Sequence, residues 1–101
     1  MDPSVTRNDD AERYEIAVDG VVAGVAQFRA KPGLIAFIHT EIDERFEGRG
    51  LGGILVAGAL DDARERRMAV LPFCPFVNAY IQRHHEYADL VPAKYHDEFG
   101  L

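Results

Sequence analysis

Apolar residues take every second position through much of the first half of the chain, and the spacing changes after residue 50. In Arg13–Val18, Tyr14, Ile16 and Val18 share one face, which predicts a strand. Asp19-Gly20 supplies a hairpin turn. Val21–Ala30 resumes the alternation, with Val22, Gly24, Ala26, Phe28 and Ala30 on the apolar face and Gln27 and Arg29 on the other. Pro32-Gly33 marks a second turn. Leu34–Ile42 is the third strand, and its unbroken apolar start, Leu34 to Ile38, predicts a central strand covered on both faces. These three form an antiparallel meander. From about Gly50 to Arg67 the spacing is helical: Ile54, Leu55, Val56, Ala59, Leu60 and Ala63 make a broad buried face. Arg64, Arg66 and Arg67 end the helix where cations suit its dipole. Residues 68–73, MAVLPF, read as a short strand, so strand, helix and strand imply a parallel pair with a right-handed crossover. Pro75 opens a second helix over about 75–86. Residues 1–12 are polar and expected to be disordered, and 92–101 form a tail. The fold class is α+β.

The 101 residues make one domain, 1–101. A net charge of −6 opposes the basic face of a nucleic-acid binder and suits cationic or amine partners. Cys74 is the one cysteine, so no intrachain disulfide forms and a reducing, cytoplasmic setting is the simpler expectation. The first residues lack the apolar core of a signal peptide, and no apolar run approaches a membrane span, so no membrane partner is expected.

Glycines stand at 48, 50, 52 and 53, at the mouth of the first helix, and no Ser, Thr, Asp or Asn is there to cap it. Uncapped N–H groups and a partial positive charge suit an external anion, and glycines let phosphate oxygens come close. Arg49, and Arg45 behind it, can add charge-assisted contacts. No Gly-Lys-Ser/Thr follows, which excludes a nucleoside-triphosphatase loop. The strand MAVLPF ends in no acidic residue, which excludes a dinucleotide fold. An ordinary tight strand–helix junction is the plainer alternative.

On IDERFEGRGLGGILV the chain resembles the GNAT superfamily of N-acetyltransferases, whose acetyl-CoA loop runs Arg/Gln-x-x-Gly-x-Gly/Ala into a helix. Two frames fit. Arg45-x-x-Gly48-x-Gly50 matches the formula literally, whereas the spacing from Ile42 favours Gly50 and Gly52, with Glu47 in the usual Arg/Gln position. The resemblance extends over about residues 13–91 through FIHTEI, LDDARERR and LPFCPFVNAYIQRHHEYADL, and suggests a small single-domain branch with His-Thr-Glu and Pro-x-Cys motifs. His85 stands where that branch carries proline. The resemblance implies acetyl-CoA as co-substrate. Ile42, Glu47, Gly48, Arg49, Gly50, Leu51, Gly52 and Gly53 would bind it. It also implies an amine acceptor, either a small molecule or a protein or peptide.

Acetyl transfer to an amine needs a base, donors for the carbonyl oxygen and an acid for the departing thiolate. The resemblance places the thioester between the splayed ends of FIHTEI and MAVLPF, which brings His39, Glu41 and Cys74 near one another. His39 and Glu41, two apart, share a strand face, and either can take the amine proton. Cys74, near a helix N-terminus, is expected to ionise readily and could carry the acetyl group covalently. A buried packing role for it stays open. Phe76, Tyr80, His84 and Tyr87 fall near one helical stripe, and the resemblance makes Tyr80 the acid. Cys74 with His84-His85 lacks a second ligand pair, so no metal is expected. The superfamily's helices between the first strands are replaced here by Asp19-Gly20, so an open acceptor side is expected, taking a large or loosely held acceptor or a wall supplied by a partner. A sheet edge or that open face could support a homodimer, and a monomer or homodimer is expected. A non-catalytic acyl-CoA sensor or an interaction domain remains the competing reading.

Overall fold

The computed structural model describes residues 2–101; Met1, at the head of the segment expected to be disordered, lies outside them. Five strands form one sheet in the order β1 (Ser4–Asn8), β2 (Arg13–Val18), β3 (Val21–Lys31), β4 (Leu34–Ile42) and β5 (Ala69–Pro72). The first four are antiparallel, and β4 and β5 are parallel, joined by helix α1 (Leu51–Glu65). Helix α2 (Pro75–Arg83) follows β5. Two 3-10 turns, His85–Leu90 and Ala93–Tyr95, then lead to the short helix α3 (His96–Phe99).

The antiparallel meander and the crossover follow the sequence expectation, but the first strand does not. Residues 4–8 pair with β2 instead of fraying. Val5 packs within 3 Å of where a Cβ on Gly58 of α1 would stand, and Arg7 reaches Tyr14 and Asp9. One apolar side chain and one buried-stem arginine hold an edge strand that shows no alternation strong enough to be read.

The helices lie on one face of the sheet. Tyr14, Ile16, Phe28, Ile35 and Phe37 meet Leu55, Val56, Leu60, Val77 and Ile81 in one core. Helix α1 contains three glycines, which cost about 1 kcal/mol each against alanine. Burying Leu51, Leu55, Val56 and Leu60 outweighs this, at about 1.5–3 kcal/mol each. Packing, not propensity, therefore seats α1.

Both long strands carry a bulge. In β3, Ile16 faces Gly24 and Ala17 faces Val22, so Ala23 is the extra residue. Val22 turns to the face away from the helices and is 43% exposed, contrary to its expected place on the apolar face. Ala30, expected beside it, is exposed as well. In β4, Gln27 faces His39 and Phe28 faces Phe37, so Ile38 is the extra residue. Leu34 and Ala36 are half-covered and Ile38 is exposed, so β4 is central in order but covered on one face only. No helix of the described residues is long and apolar enough to cross a membrane.

Candidate active site

The chain leaves β4 through a 3-10 turn, Glu44–Phe46. Asp43 caps it, accepting from the Arg45 N–H at 2.9 Å and from the Arg45 guanidinium at 3.1 and 3.0 Å. That side-chain bond, helped by the backbone one, holds the Asp43 carboxyl below its ordinary range. Arg45 is thereby committed to Asp43. Arg49 lies 5.3 Å from the Phe46 ring centroid and is committed to no carboxylate among the described residues.

Gly48 and Gly50 have φ of +80° and +74°, which side chains resist, and nothing lies near their would-be Cβ atoms. Gly50 is the cap residue of α1 and no side chain caps the helix. The first bond back to it comes from the Ile54 N–H at 3.4 Å, so the amides of Leu51, Gly52 and Gly53 precede the helical ladder. They open on a cleft of about 350 Å³ that is also lined by Ile42, Phe46, Glu47 and Phe76. Gly52 serves a different purpose: a Cβ there would stand 2.7 Å from Phe76 Cζ. At Gly53 it would stand 3.7 Å from Tyr80 Cε2. Helix α2 thus leans its aromatic stripe onto the mouth of α1.

Pairing between β4 and β5 runs from Leu34–Ala69 to Phe37–Pro72 and stops. The Cys74 N–H donates to Phe37 O at 2.8 Å and the chain turns off into α2, while β4 continues to Ile42 paired with β3. The two parallel strands therefore splay. The Ile38 bulge decides which side chains meet there. Thr40, opposite Ala26, faces the helices, and its Oγ1 lies 3.3 Å from Cys74 Sγ. Cys74 is 3% exposed. His39 and Glu41 face the open side, with Nε2 and Oε1 3.7 Å apart and side chains 55% and 70% exposed. His39 and Glu41 come together as expected, but Cys74 is parted from them by the sheet and meets Thr40 instead. The bulge that causes this has no periodic signature in the sequence. Phe76, on the Tyr80 stripe, meets Gly52, a pairing for which the helical spacing of the stripe is the sequence signal.

The Tyr80 ring stacks on His84 at 4.0 Å and lies 6.0 Å from Tyr87. Burial, helped by Glu86 and Asp61, raises its phenol above the ordinary value, so it keeps its proton. Tyr87 donates to Asp61 at 2.8 Å, and Arg64 binds Asp89 through two nitrogens and the Glu86 carbonyl, which fixes the segment after α2 against α1. Asn78 Oδ1, one turn on from Cys74, is buried with no hydrogen-bond partner. No group of three or more His, Cys, Asp or Glu residues among those described is arranged to hold a metal ion.

A splayed parallel pair bridged by a helix with a glycine mouth defines an acetyltransferase-like α+β fold. The chain belongs to the GCN5-related N-acetyltransferase family, whose sequence model matches residues 13–90. Its fold is similar to that of a GCN5-like protein from Staphylococcus aureus solved by NMR, with a TM-score of 0.66, 18% identity, and 88% of this chain and 87% of that one covered. It is also similar to the ribosomal-protein-alanine N-acetyltransferase of Brucella melitensis biovar Abortus 2308, with a TM-score of 0.55, 20% identity, and 80% of this chain and 62% of that one covered. No curated protein matches the chain significantly.

Proposed function

We propose that this N-acetyltransferase takes its acetyl group from acetyl-CoA and passes it to an amine at the splay of β4 and β5. The supporting observation is the contact of Phe76 and Tyr80 with Gly52 and Gly53, which sets the stripe carrying the expected acid beside the expected phosphate site. The cleft fits such a ligand: its wall is backbone, its mouth has no cap, and a side chain at Gly52 would strike Phe76.

The amides of Leu51, Gly52 and Gly53, with Arg49, would hold the diphosphate. Glu47 offers that phosphate no donor and serves as wall; Gly48 and Gly50 shape the loop and Ile42 closes it from the strand. The edge of β4 beyond Phe37, left by β5, and the orphaned Asn78 Oδ1 are suited to the amides of the pantetheine arm. His39, supported by Glu41, takes a proton from the attacking amine. As nitrogen bonds to the carbonyl carbon and the carbon–sulfur bond breaks, Tyr80 gives its proton to the departing sulfur.

Direct transfer is the better reading, because the base pair lies on the open face while Cys74 is buried on the other. A covalent route through Cys74 has one observation in its favour, the Thr40 hydroxyl at 3.3 Å, which could donate to a thiolate. Intact mass after incubation with acetyl-CoA tests both routes. A native complex with no adduct after denaturation, together with release of CoA when an amine is added, is expected. An acetyl adduct that vanishes in Cys74→Ala would establish the covalent route. A complex that never turns over would make the chain an acyl-CoA sensor, and no complex at all would overturn the proposal.

A further inference from the structure

The open face of the sheet holds a second, larger cleft, of about 700 Å³, which shares Ile42 and Glu47 with the glycine cleft. The two therefore back onto each other across the end of β4. We infer that this cleft receives the acceptor, and that the acceptor is a linear aliphatic polyamine; the inference rests on the acetyltransferase reading above and names its substrate class.

Three observations carry it. First, the Ile38 bulge turns His39 and Glu41 onto this face, and Glu41 is part of the cleft wall. An amine at His39 then has the rest of its molecule directed along the strand into the cleft. Second, the wall is one-sided in charge. It holds Glu41, Asp43, Glu44 and Glu47 against Arg45 alone, and Asp43 is already matched by that arginine. With Glu41 supporting His39, Glu44 and Glu47 are left for cations. Third, Val22 and Val25 line the same cleft, and the β3 bulge leaves Val22 43% exposed, an apolar floor for methylenes. The volume lies in the range of about 300–1,000 Å³ for small-molecule sites, which favours a small acceptor over a folded protein surface.

Calorimetric titration of the full chain, loaded with CoA, against spermidine and octylamine tests this. Saturable spermidine binding is expected, about tenfold tighter than that of the singly charged octylamine. Glu44→Gln should weaken spermidine about threefold, the effect of one charge at near-contact distance in a wet cleft, and should move octylamine less. Raising salt should act in the same direction. Equal affinity for the two amines, no spermidine binding at millimolar concentration, or an unchanged Glu44→Gln would overturn the polyamine assignment. Acetyl-CoA titrated alone into the chain separates the two levels. Failure there removes the acetyltransferase reading itself, whereas failure with spermidine alone removes only this substrate class.

Discussion

Two helices begin side by side on the same face of the sheet, and their mouths are built oppositely. Helix α1 starts from a glycine at positive φ, with open backbone and no side chain over its amides. Helix α2 starts from Cys74, nearly buried, with Pro75 removing one of the N–H groups that would need a partner. Neither mouth has a side-chain cap, but the first is open glycine backbone and the second starts from a buried cysteine and a proline. The difference shows why an absent cap is not enough to infer an anion site. What separates the two mouths is the glycine backbone and the cleft in front of it. The aromatic stripe of α2 links them, since Phe76 and Tyr80 stand over Gly52 and Gly53.

Removing Tyr80, the proposed acid that stands between the mouths, should have the largest consequence. Tyr80→Phe is expected to lower kcat by about 100-fold, the usual scale for one proton-transfer group, with little change in acetyl-CoA affinity. Because burial raises the Tyr80 phenol, the wild-type alkaline fall in kcat should lie above the ordinary tyrosine range and disappear in the variant. An unaltered pH profile would leave Tyr80 as packing. Filling the first mouth should matter somewhat less. Gly52→Val forces two methyls toward Phe76, and acetyl-CoA affinity should drop by about 30-fold, about 2 kcal/mol of overpacking and displaced phosphate. The same calorimetry on Gly48→Ala, whose Cβ meets nothing, separates sterics from backbone strain.

The smallest effect concerns the clasp holding the turn after α2 against α1. Burial, then the bond to Asp61, raises the Tyr87 phenol from 10.0 to about 12. The folded state thus keeps a proton that the unfolded chain loses near pH 10. This stabilisation is complete below pH 10 and is lost as pH rises towards 12. Thermal melts across that window should show a loss on the order of 1 kcal/mol that Tyr87→Phe removes, allowing for screening at the exposed Asp61. Tyr14, raised to about 12 by burial and then by its bond to Asp62, keeps its own share in that variant.

Much of this was readable in the sequence because it depends on local chemistry. Asp19-Gly20, Pro32-Gly33, the alternation through Tyr14 and Phe28, the helical spacing after Gly50 and the glycine loop each follow from residues close together in the chain. What escaped depends on partners far away. Val5 sits in a strand paired with β2, and its side chain packs into the room left by Gly58. A single inserted residue, Ile38, reverses which side chains of His-Thr-Glu face the helices, and nothing in the local pattern distinguishes that insertion from an unbroken strand. An unbroken alternation puts His39 and Glu41 beside Cys74, whereas the bulge puts Thr40 there.

The edge strand has a practical consequence. Val5 is the peg that occupies the notch at Gly58, midway along the helix whose far end is the glycine mouth. A chain trimmed to begin at Arg13 would keep every residue of the candidate site, yet it would leave that notch empty and strip β2 of its outer neighbour. Such a fragment would expose a bare strand ready to recruit another molecule. Failure to purify or bind in that form would reflect the missing peg and not the site it was made to study.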